Sequence, residues 1–210
     1  FTSGLAEMGT EGAAVQAELA AIARGAGMRM VGPNCLGVAT PGDAWYGTFA
    51  SYPSMNLVRS GPLGVISQSG AYGSHLYMVA QKRGLGVGQW VTTGNEADVD
   101  VAEVIAYYAG NPRVRVIVAY AEGVRDMAAM EQALAAAHDA RKPVIFMKVG
   151  RSSVGAAAAA SHTASLAGAD ALYDALFKQY GVYRAHTTEE LLDVAYACQF
   201  GQFPGGDRIC

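Results

Sequence analysis

Cysteine is scarce in this 210-residue chain. Cys35, Cys198 and Cys210 stand in dissimilar contexts, without the paired spacing of a zinc site or of a disulfide framework. Three scattered thiols fit a reduced, cytoplasmic setting. A positive excess is missing as well. Fifteen Lys and Arg against 18 Asp and Glu leave a formal net charge of −3, which provides no basic footprint for nucleic-acid phosphates. No run approaches the ~18–20 consecutive apolar residues of a membrane span. The opening Phe1-Thr2-Ser3-Gly4 lacks the basic and apolar segments of a secretory signal. Charged residues are few, 16% against 51% hydrophobic, and that balance excludes a disordered chain and predicts a well-packed globular one. Both ends read as cut. The start has no Met and resembles a strand exit, and Gly206-Asp-Arg-Ile-Cys210 resembles a strand beginning, so a portion of a longer polypeptide is expected.

What is present is alternation. Short apolar runs alternate with amphipathic helical segments, the pattern of an α/β protein with a mainly parallel sheet. The spacing of Val15, Leu19, Ile22 and Ala26 predicts a helix over 10–27, followed by a short strand at 28–31 and a turn at 32–37. Residues 38–60, with Pro41, Pro53 and scattered polar groups, read as a connecting segment between two domains. Strands are then expected at 63–67, 89–92, 114–120, 143–148 and 182–185. Helices are expected from about 71 to 83 and at 99–109, 126–140, 169–180 and 188–199. Thr187 and Glu190 fit a capping box opening the last helix. Five strands alternating with helices describe a flavodoxin-like doubly wound domain over 61–200.

Open parallel sheets bind ligands beyond the carboxyl ends of their strands. Four unusual segments fall there: Ser67–Ala71, Thr93–Glu96, Ala121–Gly123 and the loop Gly155–Gly168. The last places His162 among alanines and glycines, where little bulk shields it and a large anionic group can approach. Imidazole titrates near neutrality, so a neutral nitrogen is available as a nucleophile. The alternative is an alanine-rich helix that happens to contain a histidine. Ser69, Gly70 and Ala71 open a helix with small residues, which suits an anion at the helix N-terminus or an ordinary N-cap by Ser69. Glu122 ends the most hydrophobic strand. A carboxylate there either orients an imidazole or is simply solvated. Asn95, Glu96, Asp98 and Asp100 read as helix-start caps rather than as a metal site. Cys35 is either a reactive thiol or a small hydrophobe. Tyr107, Tyr108, Trp45 and Trp90 read as packing residues.

In order along the chain stand Gly-Pro-Asn-Cys-Leu-Gly (32–37), Ile-Ser-Gln-Ser-Gly-Ala (66–71), Thr-Gly-Asn-Glu-Ala-Asp (93–98) and Tyr-Ala-Glu-Gly (120–123). Lys-Pro-Val (142–144) and Ser-His-Thr-Ala-Ser-Leu-Ala-Gly (161–168) complete the series. It resembles the NDP-forming acyl-CoA synthetases, the ADP-forming acetyl-CoA synthetase branch of the succinyl-CoA synthetase superfamily. The resemblance implies that His162 carries a phosphoryl group, that Glu122 orients and stabilises the phosphohistidine, and that Ser69, Gly70 and Ala71 cradle the phosphoryl group. It puts Asn34 and Cys35 at the thiol end of coenzyme A and Asn95 in a loop lining the same site. It implies no metal bound by this chain. ATP or ADP with Mg²⁺ would sit in an ATP-grasp domain or subunit elsewhere, in an oligomeric, cytoplasmic enzyme acting on a small carboxylic acid or its acyl-CoA. Residues 1–37 would then be the C-terminal part of a Rossmann-like CoA-binding domain, 61–200 the ligase domain and 201–210 the start of a further one. Ala164 departs from the family's usual glycine. Two other readings compete: a non-catalytic CoA-binding or regulatory module, and a generic flavodoxin-like binding domain.

Overall fold

Apolar runs without polar alternation belong to strands covered on both faces, and the centre of the sheet is built from such runs. The protein is represented by a computed structural model that describes residues 2–51, 59–150 and 170–201. The loop with His162 and Ala164, and residues 202–210, lie outside the described residues. Seven strands are described: β1 (Gly37–Thr40), β2 (Trp45–Thr48), β3 (Leu63–Ser67), β4 (Val87–Thr92), β5 (Val116–Ala121), β6 (Val144–Lys148) and β7 (Tyr183–Arg184). They form one sheet in the order β2-β1-β4-β3-β5-β6-β7. The run β4-β3-β5-β6-β7 is parallel throughout. In order of appearance those five strands lie 2-1-3-4-5, the flavodoxin arrangement.

Helices α2 (Gly70–Lys82), α3 (Val101–Gly110), α4 (Met127–Asp139), α5 (Asp170–Gln179) and α6 (Thr188–Phe200) cover the two faces, and α1 (Thr10–Gly25) precedes the sheet. Successive side chains of a strand point to opposite faces. Accordingly Ile117, Ala119 and Phe146 pack with α3, α4 and α5, while Val116, Val118 and Ile145 pack with α2 and α6. Starts are set by side-chain caps: Ser69 for α2, Asp100 for α3, Asp126 for α4 and Thr187 for α6. At α6 the expected box is present in a displaced form. Thr187 Oγ1 accepts from the Glu190 N–H, and the Glu190 carboxylate accepts from the His186 N–H.

Four expectations are corrected. Part of the supposed connecting segment 38–60 is sheet: β1 and β2 form an antiparallel hairpin, and β1 pairs antiparallel with β4. The expected strand at 28–31 reduces to a single bridge, Val31 with Val99. Its backbone hydrogen bonds are taken by the loop before α3, where the Asp98 carboxylate accepts the Met30 N–H and Val99 donates to the Met30 carbonyl. On α1 the apolar residues Val15, Leu19 and Ile22 are exposed, and the packed face is that of Gln16 and Ala20. Trp90 and Tyr108 are buried as expected, whereas Trp45 and Tyr107 are exposed.

Candidate functional site

At the carboxyl ends of β3, β4 and β5 the chain leaves the sheet in short polar connections, and the turn at 32–37 is stitched against them. Asn95 and Ala97 donate backbone N–H groups to the carbonyls of Pro33 and Gly32, each at 2.9 Å. Thr92 Oγ1, at the end of β4, accepts from the N–H groups of Leu36 and Gly37 at 2.9 and 3.0 Å. Asn34 Nδ2 donates to Asn95 Oδ1 at 3.2 Å. So close an approach requires a residue without a side chain. Gly94 has φ +57°, and a Cβ there would sit 2.2 Å from the Pro33 carbonyl oxygen.

These connections enclose a cleft of about 410 Å³ lined by Asn34, Cys35, Ser69, Gly70, Ala71, Asn95 and Glu122, together with Leu36, Phe49, Gln68 and others. Seven of the eight site residues expected from sequence therefore face one cavity. The eighth, His162, lies outside the described residues. Ser69 Oγ accepts the Tyr72 N–H at 3.2 Å, so it is an N-cap, and the first turn of α2 brings its positive end to the cleft. The expected N-cap by Ser69 is present. Cys35 is half-buried, and burial pushes its thiol above the ordinary value.

The acidic residues after β4 are engaged elsewhere. Asp98 pairs with Arg29 and Arg24, and Asp100 caps α3. Among the described residues no group of three or more His, Cys, Asp or Glu is placed to hold a metal.

Three polar residues not expected as site residues tie together the backbone around the cleft. Gln68 Oε1 accepts the N–H groups of Glu122 and Gly123 at 2.7 and 3.2 Å. Its Nε2 donates to Glu96 Oε2 at 2.8 Å and to the Gly123 carbonyl at 2.9 Å. Buried Lys148 donates to the Glu122 carbonyl at 2.7 Å, with burial lowering its ammonium below the ordinary range. Glu96 Oε1 accepts from Thr93 Oγ1 and from the Val101 N–H. The available signal was position: each is a polar residue at or just beyond the end of an apolar strand.

Glu96 is 3% exposed. Burial lifts its carboxyl from 4.5 to about 7, with Asp100 adding to the rise and the donors Gln68, Thr93 and Val101 opposing it. Between those values the folded protein keeps a proton that the unfolded chain has lost. The associated stability is complete below pH 4.5 and disappears as pH rises through about 7. At roughly 1.4 kcal/mol per pH unit the change is on the order of 3 kcal/mol. Urea unfolding of the wild type and Glu96→Gln across this range should show the difference in stability (wild type minus variant) falling with pH. A difference independent of pH would contradict the buried titration.

The sequence model of the family described as the succinyl-CoA ligase like flavodoxin domain matches residues 60–198. The chain is 41% identical over 209 residues to the alpha subunit of ADP-forming acetate–CoA ligase I of Pyrococcus furiosus, covering 100% of this chain and 44% of that one. It is 37% identical over 214 residues to ADP-forming 4-hydroxybutyrate–CoA ligase of Nitrosopumilus maritimus, covering 100% of this chain and 30% of that protein. The solved dinucleotide-forming acetyl-coenzyme A synthetase 1 of Candidatus Korarchaeum cryptofilum, in complex with phosphate and ADP, superposes with a TM-score of 0.87 at 35% identity. The match covers 98% of this chain and 43% of that one. The chain thus spans less than half the length of these relatives.

Proposed function

The chain belongs to the family of the succinyl-CoA ligase like flavodoxin domain, in the NDP-forming acyl-CoA synthetase branch, and on that premise we propose that the full-length protein joins a carboxylic acid to coenzyme A through an acyl phosphate and a phosphohistidine at His162. The observation that carries this reading is the cleft itself. Residues from four separated motifs line one cavity at the carboxyl edge of the sheet, facing a helix N-terminus and a carboxylate.

In the direction of acyl-CoA cleavage, a phosphate oxygen attacks the thioester carbon and the carbon–sulfur bond breaks. Coenzyme A leaves as a thiolate and is then protonated, and an acyl phosphate remains. Asn34 and Cys35 stand where the thiol end would lie. A neutral His162 nitrogen next attacks phosphorus, the bond to the acyl oxygen breaks, and the free carboxylate departs. Glu122 accepts the N–H of the other ring nitrogen and stabilises the positive charge that develops on the imidazole. The N-terminus of α2, at Ser69, Gly70 and Ala71, receives the phosphoryl oxygens, with Asn95 alongside. The phosphoryl group then passes to a nucleoside diphosphate.

The nucleotide, with Mg²⁺, is assigned to an ATP-grasp domain or subunit, and the reaction to the cytoplasm. No described helix is long and apolar enough to cross a membrane. In the same reading, residues 1–37 close a CoA-binding domain and 201–210 open a further one. The test is to incubate the full-length protein with γ-labelled ATP, or with acyl-CoA and labelled phosphate. Acid-labile, base-stable label on a peptide containing His162 is expected. No label would favour a non-catalytic CoA-binding module, and label elsewhere would remove His162 as the carrier.

A further inference from the structure

We infer that Gln68 and Glu96 are positioning residues for Glu122, acting through a directed chain of hydrogen bonds from the buried Glu96 carboxylate to the backbone at 122–123. The inference rests on the reading that Glu122 stabilises the phosphohistidine. Glu122 enters the cleft from the first residue after β5. At that point the strand ladder has ended, and something else must hold the backbone. Gln68, only 5% exposed, does so from β3's exit, with one end of its amide accepting two N–H groups and the other donating to Glu96 and to the Gly123 carbonyl.

An amide and its flipped form have nearly the same shape, so their neighbours decide the orientation. Here all four contacts agree. A flipped amide would set its oxygen against two acceptors, Glu96 Oε2 and the Gly123 carbonyl, and its NH₂ against two N–H donors. Glu96 is itself held by Thr93 Oγ1 at 2.9 Å and the Val101 N–H at 3.0 Å, which ties the chain to the start of α3. The segments after β3, β4 and β5 are thereby locked together beneath the cleft. A half-satisfied buried network is costly, so losing one link displaces the others.

The polarity of the chain provides the test. In full-length protein assayed above about pH 7, where the Glu96 carboxyl is ionised, Gln68→Met removes all four bonds, and Glu96→Gln sets NH₂ against NH₂. Gln68→Glu sets a carboxylate against Glu96. The double variant Gln68→Glu/Glu96→Gln restores the central bond with its direction reversed, because the new Gln donates to the new Glu, which still accepts both backbone N–H groups. Single-turnover formation of phosphohistidine should slow by about 10- to 100-fold in each single variant, as small misplacements of a reacting group do. The KM for coenzyme A should stay within about twofold, since the thiol-end residues are untouched. The double variant should recover about tenfold over Gln68→Glu, a gain that loss of packing alone would not produce.

Single variants phosphorylated at the wild-type rate, or a double variant no faster than Gln68→Glu, would overturn the inference. If Gln68→Met does not fold, as judged by circular dichroism, the comparison of Gln68→Glu with the double variant decides the matter. Glu122→Gln is measured alongside. If it alone keeps the wild-type rate, the reading of Glu122 has failed and the positioning role falls with it. If it is impaired while the Gln68 and Glu96 variants are not, only the positioning role fails.

Discussion

His162→Asn should leave the full-length protein with no acid-labile phosphate and no ligase turnover, and Glu122→Gln should slow phosphorylation of His162 by about 100- to 1,000-fold. Asparagine occupies similar space and keeps hydrogen-bonding groups, but it has no basic nitrogen to attack phosphorus. Phosphohistidine formation also draws positive charge onto the ring. A carboxylate that accepts the second N–H stabilises that charge best where little water competes. Glu122 is half-buried, and its backbone is held from both sides, at N by Gln68 and at O by Lys148. A neutral glutamine in the same place keeps the shape and loses the charge. Rapid-quench labelling checks both variants. Label retained in His162→Asn would remove the proposed carrier, and Glu122→Gln at full speed would remove the role of the carboxylate.

Gly94→Ala should destabilise the fold by about 3 kcal/mol or more, while Gly181→Ala should cost only about 1 kcal/mol. Both glycines lie in the left-handed region, at φ +57° and +66°. An L-residue pays roughly 1–2 kcal/mol for that conformation at either site. Their surroundings differ. A Cβ at Gly181 meets nothing within 4 Å, whereas at Gly94 it meets the Pro33 and Asn34 carbonyl oxygens at 2.2 and 2.5 Å. Those atoms are backbone and cannot rotate away, so the turn carrying Asn34 and Cys35 must move off the loop carrying Asn95. Urea unfolding of both variants measures the gap, and equal destabilisation would show that the close approach is unimportant. The same displacement should weaken coenzyme A binding in Gly94→Ala and leave it unchanged in Gly181→Ala.

The central strands β5 and β6 were legible because their runs are almost purely apolar. Val116–Ala121 and Val144–Lys148 can be strands only where helices cover both sides. The β1–β2 hairpin was not legible. Its four-residue strands carry glycine and an exposed Trp45, too short and too mixed to show a period of two. What makes Val38 and Ala39 a strand is pairing with Val91 and Trp90, which are remote in sequence. The segment 28–31 erred in the opposite direction, and only in part. Met30 and Val31 do pair through their backbones, but their partners are Asp98 and Val99 in a loop rather than a sheet neighbour.

Local chemistry by itself determined which segments could be strands, where helices are capped and which small, polar motifs interrupt the apolar pattern, because all of these depend on neighbours within a few residues. The sequence already set the segments of Ser69, Asn95 and Glu122 at the carboxyl ends of strands, but only the tertiary structure decided that Gln68 meets Glu96 and the backbone of Glu122 beneath the cleft they line. Those meetings follow from β3 lying between β4 and β5. Strand order is set by how the two apolar layers pack as a whole, and no short window of residues contains that information.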